Sequence, residues 1–311
     1  MIVKRNFNLR SVCWYIRYEC LASLAWSMAV YGTYRLFDLS LHLPFSVAGI
    51  LGSALAIFIA FRNQSSYARW WEARTIWGGI VNNSRILARQ MIANVNQAIA
   101  TGKVTEPEGA RYKKEMIDRQ IAFAHALRLH LRKETAWDVL QPFLTETEYR
   151  FVQHTSNRPN TLLLQQGIRI REAMQLEFLG AFDNISLEPT LAGFNNFQGA
   201  CERIKNTPLL RQYHFFTKLF LFVFMTILPF SLISDFNKMG VPALMIPLST
   251  LLSFVFGVMG KVGEVNEDPF ENRITDIPMS AMCITIERDL KEMLGETDFP
   301  QKLTSKDGFL F

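Results

Sequence analysis

The sequence predicts an all-α membrane protein with four transmembrane helices per protomer and a helical cytoplasmic domain. Three observations carry that expectation. Four stretches, Cys20 to Leu36, Pro44 to Phe61, Phe215 to Ser234 and Met239 to Gly260, hold only two charges, Arg35 and Lys218. A hydrocarbon core about 30 Å thick takes roughly 17–25 apolar residues in a helix, and each stretch falls in that range. The remainder of the 311 residues carries nearly all of the 20% that are charged, and its apolar residues recur at helical spacing. The composition excludes a disordered chain, a collagen-like repeat and a small disulfide scaffold.

The spans pair into two hairpins, because Phe37 to Leu43 and Asp235 to Lys238 leave room only for hairpin tips. Basic residues decide the orientation. Lys4, Arg5, Arg10 and Arg17 precede the first span, Arg62, Arg69 and Arg74 follow the second, Arg203, Lys205 and Arg211 precede the third, and Lys261 follows the fourth. Cytoplasmic flanks carry the Lys and Arg excess, so both termini and the middle segment are expected in the cytoplasm, with the protein in the inner (plasma) membrane. The expected division is 1–61 for an N-terminal segment and first hairpin, 62–214 for a cytoplasmic helical domain, 215–260 for the second hairpin and 261–311 for a C-terminal cytoplasmic segment. A cleaved signal peptide fits poorly, since a second span follows the first so closely. Cys13, Cys20, Cys201 and Cys283 form no Cys-x-x-Cys pair, and neither a disulfide nor a zinc site is indicated.

From Arg62 to Pro208 the apolar spacing is helical, as in Ile76, Ile80, Asn83, Leu87 and Met91, or Tyr112, Met116, Arg119, Phe123 and Leu127. Breaks are expected at Thr101 to Pro107, Gln141-Pro142, Asn157 to Pro159, and Ser186 to Pro189, where Ser186 can cap the next helix. Pro278 to Leu294 reads as a last amphipathic helix that Gly295 ends.

No catalytic constellation stands out, and no enzyme, cofactor or metal is expected. His125 and His130 are five residues apart, about 140° around a helix, which does not suit a shared metal. There is no Gly-x-Ser-x-Gly elbow, Gly-rich phosphate loop or His-Glu-x-x-His. Glu146 and Glu148 lie in helix-start composition and read as solvated, dipole-favoured residues. The net charge of +5 is accounted for by the membrane-flanking arginines, so anionic lipid headgroups are the expected partner and no nucleic acid is.

The second span is the most informative. On a helical wheel Gly49, Gly52, Ser53, Ala56 and Ala60 share one face, and Ile50, Ala54, Ile57 and Phe61 the next. Small residues at four-residue spacing permit close helix packing in lipid. Ile57 and Phe61 then face either lipid or a central axis, where apolar rings restrict ions by dewetting. One four-span chain without a polar stripe cannot enclose a water path, so a pore needs several copies in a closed ring.

The block RNQSSYARWWEARTIWGGIVNNSR from Arg62 to Arg85, with its Arg69-Trp70-Trp71-Glu72 box, resembles the signature that follows the second membrane helix of bestrophins, particularly bacterial ones. CERIKNTP from Cys201 and GEVNEDPFENRITDIP from Gly263 resemble later blocks of that family. The resemblance implies a homopentameric ion channel with one central pore, a hydrophobic neck and a deeper cytoplasmic aperture. By position relative to Arg69 the neck falls on Ser53, Ile57 and Phe61, Ser53 departing from the bulky apolar residue common there. The aperture falls near Leu179, with Glu177, Asp183, Arg169 and Arg171 as the charges of the adjoining vestibule. The family implies chloride; these four charges are compatible with either sign. Animal bestrophins are calcium-activated through a clasp with two carboxylates. Only Asp276 has a counterpart here and Arg273 stands where the other belongs, so no calcium activation through that clasp is expected. The competing readings are a secondary transporter, which calls for internal repeats and intramembrane ionisable residues, and a non-conducting membrane scaffold.

Overall fold

Continuous helical periodicity and scarce glycine leave the chain few options other than helices. The computed structural model describes residues 1–4, 14–37 and 43–311, and among them the only β pairing is at isolated bridges such as Ile2 with Phe309. The helices are α1 (Arg17–Phe37), α2 (Phe45–Ala100), α3 (Glu106–Arg132), α4 (Glu146–Gln153), α5 (Arg158–Gln175), α6 (Asn184–Asn206), α7 (Arg211–Lys238), α8 (Met245–Val265) and α9 (Met279–Met293). Arg5, Arg10, Cys13 and most of the first hairpin tip lie outside the described residues. The chain divides into two compact units, one of residues 4–69 and 208–267, the other of residues 1–3, 70–207 and 268–311.

In the larger unit α3 packs against α5, α6 and α9. Its ends follow from local chemistry. Thr105 and Glu108 form a capping box, Pro107 sits in the first turn where its missing N–H costs nothing, and Lys133 closes the C-terminus in the left-handed region at φ 56°. Tyr112, Met116, Phe123 and Leu127 are all buried in one core that continues through Trp77, Leu87, Phe194 and Ile286. Arg119 is buried among them, its charge matched by Glu148 at 2.5 Å and Glu115 at 2.8 Å, and it also donates to Gln166 Oε1 at 3.1 Å. Glu148 is therefore more than the solvated helix-start residue expected; it both caps α4 and neutralises a buried cation. His125 and His130 bridge different helices, facing Glu287 at 3.6 Å and Glu202 at 3.5 Å.

In the smaller unit α1 packs on α7 and α8, and α7 on α8. Small side chains make the approaches close. The buried face of α8 contains Ser249, Ser253, Gly257, Gly260 and Gly263, and the Ser23 and Ser253 hydroxyls are 2.7 Å apart. A Cβ on Gly52 would stand 3.0 Å from the Phe224 ring.

Three boundaries differ from the sequence reading. Asp235 to Lys238 is the last turn of α7, with Lys238 and Asp235 3.8 Å apart; the turn follows at Gly240, which takes φ 76°. α6 begins at Asn184, ahead of Ser186, whose hydroxyl donates to Asp183 O instead of capping. Pro189 is absorbed early in α6, at the cost of one backbone hydrogen bond. Among the described residues three helical segments are long and apolar enough to cross a membrane, Phe45–Ala100, Asn184–Lys238 and Pro242–Val265. α1 has the length, but its Ser, Thr, Tyr and Trp content dilutes its apolarity below the other three.

Candidate functional site: an apolar helix face and a charged loop

The face that α2 turns inward within its unit consists of Ala48, Gly52, Leu55, Ile59, Arg62 and Ser66, a seven-residue repeat of buried positions. Ile57 and Phe61 lie on the opposite side of the helix, 58% and 65% exposed, with Ile50 two turns before Ile57 and three before Phe61. Ser53 is also exposed, and its hydroxyl donates to Gly49 O at 2.9 Å, so its polarity is spent on its own helix. Within the protomer only the Gly52 edge of the small-residue face is packed; Ser53 and Ala60 are open.

Arg62 comes immediately after Phe61 and is 1% exposed. Its Nη2 lies 2.9 Å from His214 Nδ1 and 3.3 Å from Glu267 Oε2, and Nη1 is 3.5 Å from Gly260 O. The sequence reading took Arg62 for a flanking charge and overlooked His214 and Glu267. The available signal was its register, three residues after Ile59 on the buried repeat.

In the other unit Trp70 Nε1 donates to Thr275 O at 3.0 Å, Glu72 pairs with Arg203 at 2.7 Å, and Trp71 is exposed. Trp70 thereby pins the loop around Asp276. That carboxylate accepts from Glu271 N at 2.6 Å and Arg273 N at 3.1 Å, and burial pushes its pKa up despite those bonds. Its Oδ2 is thus committed to the loop's own backbone.

Leu179 is 2% exposed and belongs to the core, whereas Leu176 and Phe182 on either side are exposed. A cavity of about 400 Å³ adjoins them, lined by Lys103, Arg171, Met174, Glu177, Leu179 and Gly180. Glu177 holds φ 61°, and Asp183 Oδ2 accepts from Gly180 N at 2.7 Å, so the loop is pinned by its own acid. Arg169 is not a free charge: it grips both oxygens of Glu115, at 2.7 and 3.1 Å, and Glu172 at 3.0 Å. Burial alone would raise the Glu115 pKa, but Arg169 and Arg119 overrule it and hold the carboxyl below its usual range. The charged residues that line the cavity are Arg171, Lys103 and Glu177, all exposed.

A family model described as bacterial and fungal bestrophin protein matches residues 6–292. A voltage-dependent anion channel-forming protein of Escherichia coli is 35% identical over 260 residues, covering 84% of this chain and 79% of that one. A protein of the same description from Ralstonia nicotianae is 30% identical, with 81% and 77% covered. The crystal structure of a bacterial bestrophin homologue from Klebsiella pneumoniae superimposes with a TM-score of 0.79 at 29% identity, covering 91% of this chain and all of that one, 100%.

Proposed function

We propose that this chain, which belongs to the bestrophin family, is a passive anion channel, chloride being the natural candidate. Its relatives are named as anion channel-forming proteins, and a channel rather than an enzyme is what that family provides. The observation that carries the reading is the exposure of Ile57 and Phe61 directly opposite the buried repeat of α2. Copies of the chain arranged as a homopentamer would turn those side chains toward a shared axis, making an apolar neck with Ser53 at one end. The open small-residue face of α2 supports such close packing between copies.

In this reading α1 joins the three more apolar helices as the fourth span, and the basic flanks place both termini and the segments 62–214 and 261–311 in the cytoplasm of an inner-membrane protein. A second constriction forms at the loop around Leu179, which anchors it from within while Leu176 and Phe182 are presented outward. With Arg169 paired to Glu115 and Glu172, Arg171 and Lys103 stand against Glu177 and Asp183 there, so these charges set no sign and the anion reading rests on the relatives. Calcium activation through the loop at Asp276 is not part of the proposal, because Arg273 occupies the second acidic position and Oδ2 already serves two backbone N–H groups.

Purified protein in planar bilayers under asymmetric chloride should reverse near the anion equilibrium potential. Ile57→Ala or Phe61→Ala should raise conductance several-fold. A reversal near the cation potential would overturn the selectivity, and currents untouched by both substitutions would overturn the neck. A detergent-complex mass other than about five protomers would remove the ring.

A further inference from the structure

We propose that Arg62 is the positioning residue of the constriction and that His214 makes its grip sensitive to acid; this rests on the reading of Ile57 and Phe61 as that constriction. Arg62 follows Phe61 directly but lies 100° around the helix, on the buried side. A cation removed from water is costly unless it is paired and hydrogen-bonded. Here the pairing comes from two other segments of the same unit. His214 is in the first turn of α7, and Gly260 and Glu267 lie in and just beyond α8. The neighbouring Asn63 Nδ2 donates to Met259 O at 2.9 Å, and a Cβ on Gly263 would stand 2.2 Å from Asn63 Oδ1. α2 is thus tied to α7 and α8 within one turn of Phe61, and the rotation of α2 about its own axis sets where Ile57 and Phe61 point. An apolar ring that works by dewetting is sensitive to such small displacements.

The tautomer of His214 follows from its partner. Arginine only donates, so Nδ1 must accept and the ring proton must sit on Nε2. Protonation of Nδ1 replaces an acceptor with a donor and sets two cations face to face. The charges nearest His214 are Lys218 on its own helix, Arg62 on α2, and Glu264 and Glu267 from the α8 segment. Glu264 is already shared between Lys261 at 3.1 Å and Lys218 at 3.8 Å. Glu267 is then the carboxylate for which Arg62 and a charged His214 compete. Acid therefore loosens the tie on α2 and leaves the constriction less well held.

The test uses full-length protein in planar bilayers, with the face bearing His214 taken from about pH 8 to about pH 5, the range over which imidazoles titrate. Wild-type conductance is expected to rise several-fold. His214→Gln, which can still accept but does not titrate, should flatten that rise. Arg62→Gln should conduct several-fold more at neutral pH and respond little to acid. If Arg62→Gln does not assemble, Arg62→Lys keeps the buried charge without the two-armed grip and should shift in the same direction. An unaltered acid response in His214→Gln, or wild-type conductance in the Arg62 variants, would overturn the proposal. Ile57→Ala in the same bilayers separates the two ideas: a change there with wild-type behaviour at Arg62 defeats only the clamp, while no change at Ile57 defeats the constriction itself.

Discussion

Phe123 and Phe222 are the same residue on long helices, yet Phe123 is sealed against Phe194 with ring centroids 5.4 Å apart while Phe222 is exposed. The contrast holds for the units they belong to. Around Phe123 the apolar side chains form one large core and the buried charges come with partners, as Arg119 does. Around Phe222 the core is smaller, many large apolar groups such as Phe215, Leu219 and Leu251 are exposed, and helices approach through serine and glycine. The first unit is organised by removing apolar surface from water. In the second, lipid serves as the apolar solvent, and close contact rather than burial holds the helices together.

The contrast can be broken most directly at those two phenylalanines. Phe123→Ala should cost about 3–5 kcal/mol, read as a lower melting temperature of the detergent-solubilised protein. Phe222→Ala should stay within about 0.5 kcal/mol of wild type, and a loss as large as that at Phe123 would mean that Phe222 is covered in the assembled protein. A smaller effect probes how the first unit treats polar groups. Asp276→Ala leaves two backbone N–H groups unbonded and should cost about 1–3 kcal/mol, whereas Asp276→Asn, which keeps an acceptor and sheds a charge that burial disfavours, should be nearly neutral. Equal losses in the two variants would show that the charge itself matters. The gentlest probe is acid. Glu115 has a folded-state pKa below its unfolded value, so its contribution is present above the unfolded pKa of about 4.3 and is lost as pH falls through the folded value. Melting temperature should decline below about pH 4, and less steeply in Glu115→Gln.

Local rules read from sequence reached the helix ends where one residue decides the outcome. α5 starts at the break expected from Asn157 to Pro159, with Asn157 accepting from Asn160 N at 3.2 Å, and Gly295 takes φ 80° after α9, as expected. They failed where tertiary neighbours decide. Ser186 had the right chemistry for a cap, but Asp183 and Gly180 closed the preceding loop first. That Ile57 and Phe61 share one face of α2 was legible because a helical wheel needs only register. For Arg62 register could show only its place on the inward side of α2, because the partners that give it meaning, His214 and Glu267, are far away in sequence. Arg169 looked like a vestibule charge until Glu115 and Glu172 were seen to occupy it.

The buried thiols have a practical consequence. Cys201 is buried and its thiol pKa is pushed up by that burial. Cys283, whose Sγ donates to Ala124 O at 3.4 Å, is pushed up to about 12 for the same reason. The thiolate is the species that attacks maleimides and methanethiosulfonates, so both buried thiols should react slowly near neutral pH. With Cys13 and Cys20 replaced by serine, a cysteine placed at Phe61 would react against a quiet background, and its labelling rate would report how much water reaches that side chain.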